Sequence, residues 1–418
     1  MDNIGIIGAG VSSLHLGIRL LDNGIAATIY SPITMETLAS GRMLNSVAHQ
    51  YDTILREREM GIEFWTEDNY RTCHGRHHWI RADGMPPLQF WGEYDGDERC
   101  IDYRMYLPRL MQEFEHRGGS VVYRSLSPAD IDHLYEQHSL LAIGTGKTNG
   151  GFADFFPRID ELSIHHEPAR QLCVPMYEGV GDPDPLGIGI NISVGHGELI
   201  VLPMETLSGS LNALLFECKH DGELTDLMSL NYKENPAGFD ARILEVLETH
   251  YTSTFERVDH SAFRLSDPKN LLQGCLTPIT RRSWAEISND KFALSIGDLR
   301  CTLDPVTGNG ANLASYGAVA LADHISEANS IFDKEFCEDY ENQIHKRTEG
   351  TVNFNNAILD PPPHVVELLF ALANNQAMSN DFAARFAKPE TMWFDIMQDA
   401  QTCGDYMARF SAPVAANA

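Results

Sequence analysis

The chain has 418 residues, 43% of them hydrophobic, which is enough for two or three domains with large buried cores. Its 31 basic and 59 acidic side chains leave a formal charge of −28, which argues against nucleic acid and anionic membrane as partners and would require a local basic patch for any anionic substrate. Eight dispersed cysteines without a CxxC pair read as reduced thiols, no run suits a transmembrane helix, and residues 2–8 already read as strand and turn with no leader, so the expected location is the cytoplasm.

Asn3-Ile-Gly-Ile-Ile7 reads as a buried parallel strand. Gly8-Ala-Gly10-Val-Ser-Ser13 follows, and Leu14, Ile18 and Leu21 then fall on one helical face. Ala26-Ala-Thr-Ile-Tyr30 supplies a second strand. The set matches the βαβ dinucleotide fingerprint, in which Gly8 and Gly10 give a tight turn and close approach to a pyrophosphate. Two departures stand out. Ser13 replaces the third glycine, so helix and strand are expected to pack slightly farther apart. The second strand ends Tyr30-Ser31, with no acid for a ribose 2′-OH. The strand and helix on either side favour a nucleotide site over a simple turn before a packed helix.

Gly41-Arg42-Met-Leu-Asn45-Ser-Val-Ala-His49 places a guanidinium, an amide and an imidazole in the next connection; taken alone it reads as an ordinary polar loop. Cys73, His74, His77 and His78 could ligate a metal, but no second cluster completes a tetrahedral set. A partly buried polar strand edge is the better reading, and no metal is expected. Asp102-Tyr-Arg104 precedes a helix carrying Leu107, Leu110, Met111 and Phe114 on one face. Arg104 at that helix start is unfavourable by dipole logic unless an anion such as pyrophosphate lies nearby. Val121-Val122 and Leu140–Ile143 read as further strands. Gly144-Thr-Gly146-Lys147 lacks the GxxxxGK[ST] spacing of a phosphate-binding loop.

From 151 to 285 the texture is β-like, with Gly187–Val194, Glu198–Leu202 and Ser210–Phe216 linked by Gly- and Pro-containing turns, then a helix from Pro236 to about Tyr251. Beyond 330 the chain is mainly helical, broken at Pro361-Pro-Pro363. The expected fold class is α/β. A Rossmann-like nucleotide domain (1–150 and 286–330) carries an inserted antiparallel β-sheet domain (151–285) as substrate platform, and a helical C-terminal region (331–418) follows.

The most informative stretch is 292–315. Phe292 to Ile296 reads as a buried strand, Gly297 lets the backbone turn, and Asp298 offers a carboxylate to sugar hydroxyls. Pro305 stiffens the next turn. Gly308 and Gly310 leave room for a flat ring against bare backbone. The free N–H groups from Gly310 to Asn312 open a helix whose positive end suits the anion of a reduced flavin.

Together, the N-terminal GxGxx(G), the remote Gly-Asp and the Pro…Gly-x-Gly helix start resemble the FAD-dependent aromatic hydroxylase fold. More closely, four segments are similar to the oxygenase component of styrene and indole monooxygenases: Leu14-His-Leu-Gly17, Leu44-Asn45-Ser-Val-Ala-His49, Gly195-His-Gly-Glu-Leu-Ile200 and Asp304-Pro-Val-Thr-Gly-Asn-Gly-Ala-Asn-Leu-Ala-Ser315. The similarity runs over nearly the whole chain.

That resemblance implies a two-component system. A separate NADH-dependent flavin reductase supplies reduced FAD, which reacts with O₂ to a C4a-(hydro)peroxyflavin and gives one oxygen to an alkene, an indole double bond or a sulfide. It implies that Gly8, Gly10 and Ser13 meet the pyrophosphate with Arg104 nearby, and that Asp298 meets the ribityl or pyrophosphate region. Pro305, Gly308, Gly310, Ala311 and Asn312 would line the isoalloxazine. Arg42 and Asn45 would lie on the flavin's other side as the catalytic pair, Asn45 near the reacting edge. A homodimer is also implied. The styrene branch carries aromatic and histidine residues where this chain has Cys73 and Arg76, and Glu98 stands near a position usually small. Arg76 and His77 could therefore admit a polar or acidic aromatic. A single-component NAD(P)H-dependent hydroxylase and a non-catalytic flavin-binding protein are the alternatives; the missing W-x-W-x-I-P segment argues against a halogenase.

Overall fold

The computed structural model describes residues 3–66, 70–146, 150–288 and 290–411; Lys147 of the Gly144–Lys147 segment lies outside them. The chain divides into two compact units. The first comprises Met1–Tyr70, Ile101–Ala169 and Leu276–Thr348; the second comprises Arg71–Cys100, Arg170–Cys275 and Glu349–Ala418.

In the first unit, Ile4, Ile6 and Ile7 are buried because Asn3–Ile7 has parallel neighbours on both sides, Ala26–Ser31 and Leu140–Ile143. A strand covered on both faces reads as a continuous apolar run, and this one does. Ser120–Tyr123 extends the sheet beyond Ala26–Ser31, Lys291–Ser295 lies beyond Leu140–Ile143, and Trp284–Ser288 closes that side as the antiparallel partner in a hairpin. The Val11–Asp22 helix crosses from the first strand to the second. Its Leu14, Ile18 and Leu20 pack with Phe114 of the Tyr103–His116 helix and with Ala318 and Leu321 of the Gly310–Glu327 helix. Fully burying each such Leu or Ile contributes about 1.5–3 kcal/mol. Three parallel strands end together in Gly8, Gly144 and Gly297, at the sheet edge where open α/β folds hold their ligands.

The second unit is built on a sheet with the order Arg264–Leu265, Gln171–Glu178, Gly209–Cys218, Gly197–Thr206, Ile188–Ser193, Cys73–Arg81, Leu88–Ile101, with Leu271–Cys275 also on Gln171–Glu178. Pro236–His250 packs Phe239, Ile243 and Leu247 against Leu199, Leu214 and Phe216. The C-terminal helices form their own core around Phe354, Leu368, Phe382 and Ile396, against which Phe90 packs. Among the described residues no helix is long and apolar enough to cross a membrane.

Residues 71–100 group with the inserted sheet, where Cys73–Arg81 runs parallel to Ile188–Ser193, and the helical tail joins that unit from Glu349. One expectation changes: the polar segment 73–78 is not a strand edge. It lies between two strands, pairing with Leu88–Ile101 on its other side. Its histidines alternate faces, as strand residues must. His77 stacks on Trp79 and bonds the Pro185 carbonyl at 2.8 Å, whereas His78 stacks on Phe90.

Candidate functional site

Gly8 ends the first strand at φ 107°, and a Cβ there would lie 2.2 Å from the Gly144 carbonyl oxygen, so only glycine fits. Gly10 caps the next helix, has no side chain to satisfy it, and has nothing within 4 Å of where a Cβ would be. The first helical bond runs from Leu14 N to Gly10 O, leaving the N–H groups of Val11, Ser12 and Ser13 ahead of the ladder. No acid lies in that first turn. Ser13 is fully buried, and its Oγ has no hydrogen-bond partner. It packs where Gly144 lacks a side chain, since a Cβ on Gly144 would come 2.6 Å from Ser13 Oγ. The room for the missing third glycine is thus taken from the neighbouring strand end, and Ser13 faces the turn only through its N–H.

The second helix start repeats this chemistry. Asp304 accepts a bond from Val306 N at 3.2 Å, Pro305 opens a short turn, and Gly308 closes it at φ 68°. Gly308 and Gly310 again have nothing within 4 Å of an added Cβ. The first bond of the 18-residue Gly310–Glu327 helix runs from Leu313 N to Asn309 O. The N–H groups of Gly310, Ala311 and Asn312 therefore precede the ladder, with no acid and no side-chain cap to satisfy them. Asp298 is exposed on the Gly297–Leu299 turn, beside the first helix: a Cβ on Gly297 would touch Ser12 Oγ at 2.5 Å. A void of about 20 Å³, roughly one water, lies between that turn and residues Leu313–Ala318.

The Asn312 side chain is engaged within the protein. Its Oδ1 accepts from Gln50 N (3.0 Å) and Thr53 Oγ1 (2.7 Å), and its Nδ2 donates to Ala48 O (3.0 Å) and Gly308 O (2.8 Å). The amide is fully used in fixing residues 48–53 to the second helix start. Behind it runs a buried polar chain. Arg56 donates to Thr53 Oγ1 and Ser315 Oγ; Ser315 meets His15; His15 Nε2 and Tyr106 OH are 2.7 Å apart. Tyr106 donates to Glu57, which meets His49 Nδ1 at 2.6 Å, and His49 reaches Tyr103. Burial holds the His15 pKa down to about 3, so it stays neutral. Burial opposes the charge on Glu57, but His49 and the bonds it receives outweigh this and keep its carboxyl below the usual range. The sequence reading missed His15, Glu57, Tyr103 and Tyr106; a histidine among the apolar residues of the first helix was the one available hint.

Arg104 lies in the first turn of its helix, where Asp102 caps Arg104 N and holds the guanidinium at 2.6 Å, so an anion does stand beside it. Arg42 is exposed on the loop before Val47–His49, with no side-chain partner among the described residues. Asn45, on the same loop, keeps a buried Oδ1 without a partner.

The family profile described as “Styrene monooxygenase A putative substrate binding domain” matches residues 147–257. “Styrene monooxygenase StyA” of Pseudomonas sp is 32% identical over 418 residues, covering 99% of both chains. The chain belongs to the styrene monooxygenase family. Among solved structures, a flavoprotein/dehydrogenase from Cytophaga hutchinsonii aligns with TM-score 0.68 at 12% identity, over 98% of this chain and 100% of that one. The flavin-dependent brominase Bmp2 aligns with TM-score 0.65 at 12% identity, over 98% and 97%. These likenesses establish the α/β FAD-binding fold.

A flavin monooxygenase of the styrene monooxygenase family needs a place for an anionic, flat, extended cofactor. Two helix starts without acids or side-chain caps, three glycines facing open space and the orphaned Asn45 Oδ1 fit that group. The family's substrate-side question centres on Arg76. Its guanidinium is buried, 3.1 Å from Glu98, bonded to Tyr94 OH at 2.7 Å and 3.8 Å over the Phe386 ring. Glu98 therefore neutralises the buried guanidinium.

Proposed function

We propose that this chain is the oxygenase component of a two-component flavin monooxygenase. It takes reduced FAD from a separate NADH-dependent flavin reductase and epoxidises a neutral styrene- or indole-like aromatic alkene, with sulfoxidation as a side activity. Balanced, one alkene, one O₂ and one reduced flavin give an epoxide, an oxidised flavin and water. The observation that carries the reading is the pair of open helix starts at Gly10 and Gly310, in a chain related end to end to StyA. The single dinucleotide fingerprint supports an outside source of reducing equivalents.

In this reading the N–H groups of Val11–Ser13, with Gly10 leaving space, hold the diphosphate. Asp298 accepts hydrogen bonds from ribityl hydroxyls. Pro305, Gly308 and Gly310 bound the ring, and the N–H groups of Gly310–Asn312 stabilise negative charge on its pyrimidine edge. Reduced FAD held there would supply the two electrons that activate O₂, which is the source of the transferred oxygen atom. Asn45 orients the reacting edge through its free amide oxygen, and Arg42 adds a positive charge on that side. Asn312 holds the Asn45 loop and the Gly308 turn in register. The neutral Arg76–Glu98 pair supports an uncharged substrate, because an acid would find no unspent guanidinium there.

The test mixes purified chain with reduced FAD and air, adds styrene or indole, and analyses products. Styrene oxide or an oxidised indole is expected, with no NADH oxidation by the chain alone. Aromatic-stimulated NADH oxidation without reductase would replace this reading with a single-component hydroxylase. Flavin binding with no oxygenated product across a broad aromatic panel would leave a non-catalytic flavoprotein.

A further inference from the structure

We infer that the second unit carries a divalent-metal site, with zinc the best match, formed by His196, Glu223 and His250. One ligand atom from each lies within 4.8 Å of the other two. The residues come from three places in the chain. His196 sits in the tight turn between Ile188–Ser193 and Gly197–Thr206, Glu223 follows the end of Gly209–Cys218, and His250 ends the Pro236–His250 helix. Backbone bonds tie the His196 turn to the 219–222 segment and to the neighbouring strand. Lys219 N donates to His196 O at 3.0 Å, Gly222 N donates to Lys219 O at 3.0 Å, and Val194 N donates to Arg81 O at 2.9 Å.

Several details set this group apart from a chance cluster. The imidazoles of His196 and His250 face each other with centroids 4.5 Å apart, yet His196 Nδ1 is buried with no hydrogen-bond partner. His250 Nδ1 lies 3.4 Å from Ser193 Oγ, and its Nε2 lies 3.7 Å from Glu223 Oε2. When His250 Nδ1–H donates to the Ser193 hydroxyl, Nε2 keeps its lone pair for an ion, the usual support of a metal-bound histidine. His250 also ends a 15-residue helix, whose carbonyl end favours a cation.

The surrounding cations are already engaged. Arg242 is bound to Asp226 and Glu245, and Arg81 donates to the Thr249 carbonyl. Two histidines and a carboxylate, with an open fourth position, form a zinc-type donor set. Bonds of about 2.0–2.2 Å need ligand atoms roughly 3.3 Å apart, so from separations of up to 4.8 Å the group must close by up to about 1.5 Å. The exposed Glu223 side chain can swing by that much. A bound ion would tie the hairpin, the 219–223 loop and the helix end together.

The experiment uses untagged, full-length protein stripped with chelator, then dialysed against zinc chloride and analysed for metal, with thermal melts in parallel. One equivalent is expected, with a raised Tm. His196→Ala should abolish both effects, and Glu223→Gln, exposed and isosteric, should weaken binding roughly tenfold or more. Cobalt(II) should give visible d–d bands in the unmodified protein and lose them in His196→Ala. Failure of the unmodified chain to hold an equivalent, or equal retention by His196→Ala, would overturn the assignment.

Discussion

At Gly310 an added methyl meets no protein atom within 4 Å, and no positive φ forbids it. Gly310→Ala should therefore stabilise the cofactor-free protein by about 0.5–1 kcal/mol, as glycine-to-alanine changes in helices do. The same methyl stands where the flavin ring is proposed to lie, so reduced-FAD affinity should fall at least tenfold in a fluorescence titration. Unchanged affinity would place the ring elsewhere. Asn45 and Asn312 give a second contrast. Asn45 Oδ1 has no partner, so Asn45→Ala should move stability by less than about 0.5 kcal/mol while cutting product formation. Asn312→Ala strands Gln50 N, Ala48 O and Gly308 O, and should cost about 3 kcal/mol in urea denaturation. If Asn45→Ala lost stability and Asn312→Ala did not, the structural and functional amides would have been exchanged.

Between the Cys73–Arg81 and Leu88–Ile101 strands, Arg76 and Glu98 are a buried ion pair. Burial raises the Glu98 carboxyl above its usual range, with Arg76 opposing it, so the pair holds its charges only as a pair. Glu98→Gln should cost about 3–5 kcal/mol by leaving Arg76 unneutralised, whereas joint replacement by Met and Leu should come close to neutral. Equal losses in both would show that packing against Phe386, not charge, sets the energy. The same pair shows where a sequence stops being legible. Periodicity placed the strands 3–7, 26–30, 140–143 and 292–296 within a residue or so, because buried parallel strands are apolar runs. It could not place Cys73–Arg81 in a sheet interior, because its polar residues are satisfied by distant partners: His77 by Pro185, Arg76 by Glu98. Nor did it show the Asp102–Arg104 ion pair, which spacing alone does not mark. The His15–Tyr106–Glu57–His49 chain joins three helices and a strand, and nothing in local spacing marks it.

Across the whole molecule, acid should act through two buried histidines before it acts through the carboxylates. His15 in the first unit and His78 in the second are both held near pKa 3 by burial. An unfolded histidine titrates near 6.5, so below that pH the unfolded chain takes up a proton that the native one refuses. Stability is therefore fully present above pH 6.5 and declines as pH falls toward 3, by about 1.4 kcal/mol per histidine for each pH unit. A competing term runs the other way, because protonating surface histidines relieves the repulsion of a chain at −28. High salt screens that repulsion and leaves the buried terms, so urea denaturation at pH 7.5 and 5.5 in high salt isolates them. His15 and His78 should each contribute about 1.4 kcal/mol of loss over that interval. His78 stacks on Phe90 and its Nδ1 has no partner, so His78→Phe keeps the packing, removes an unsatisfied atom and should flatten the second unit's pH dependence. A slope that persisted unchanged in that variant would mean another buried group, not His78, takes up the proton on unfolding.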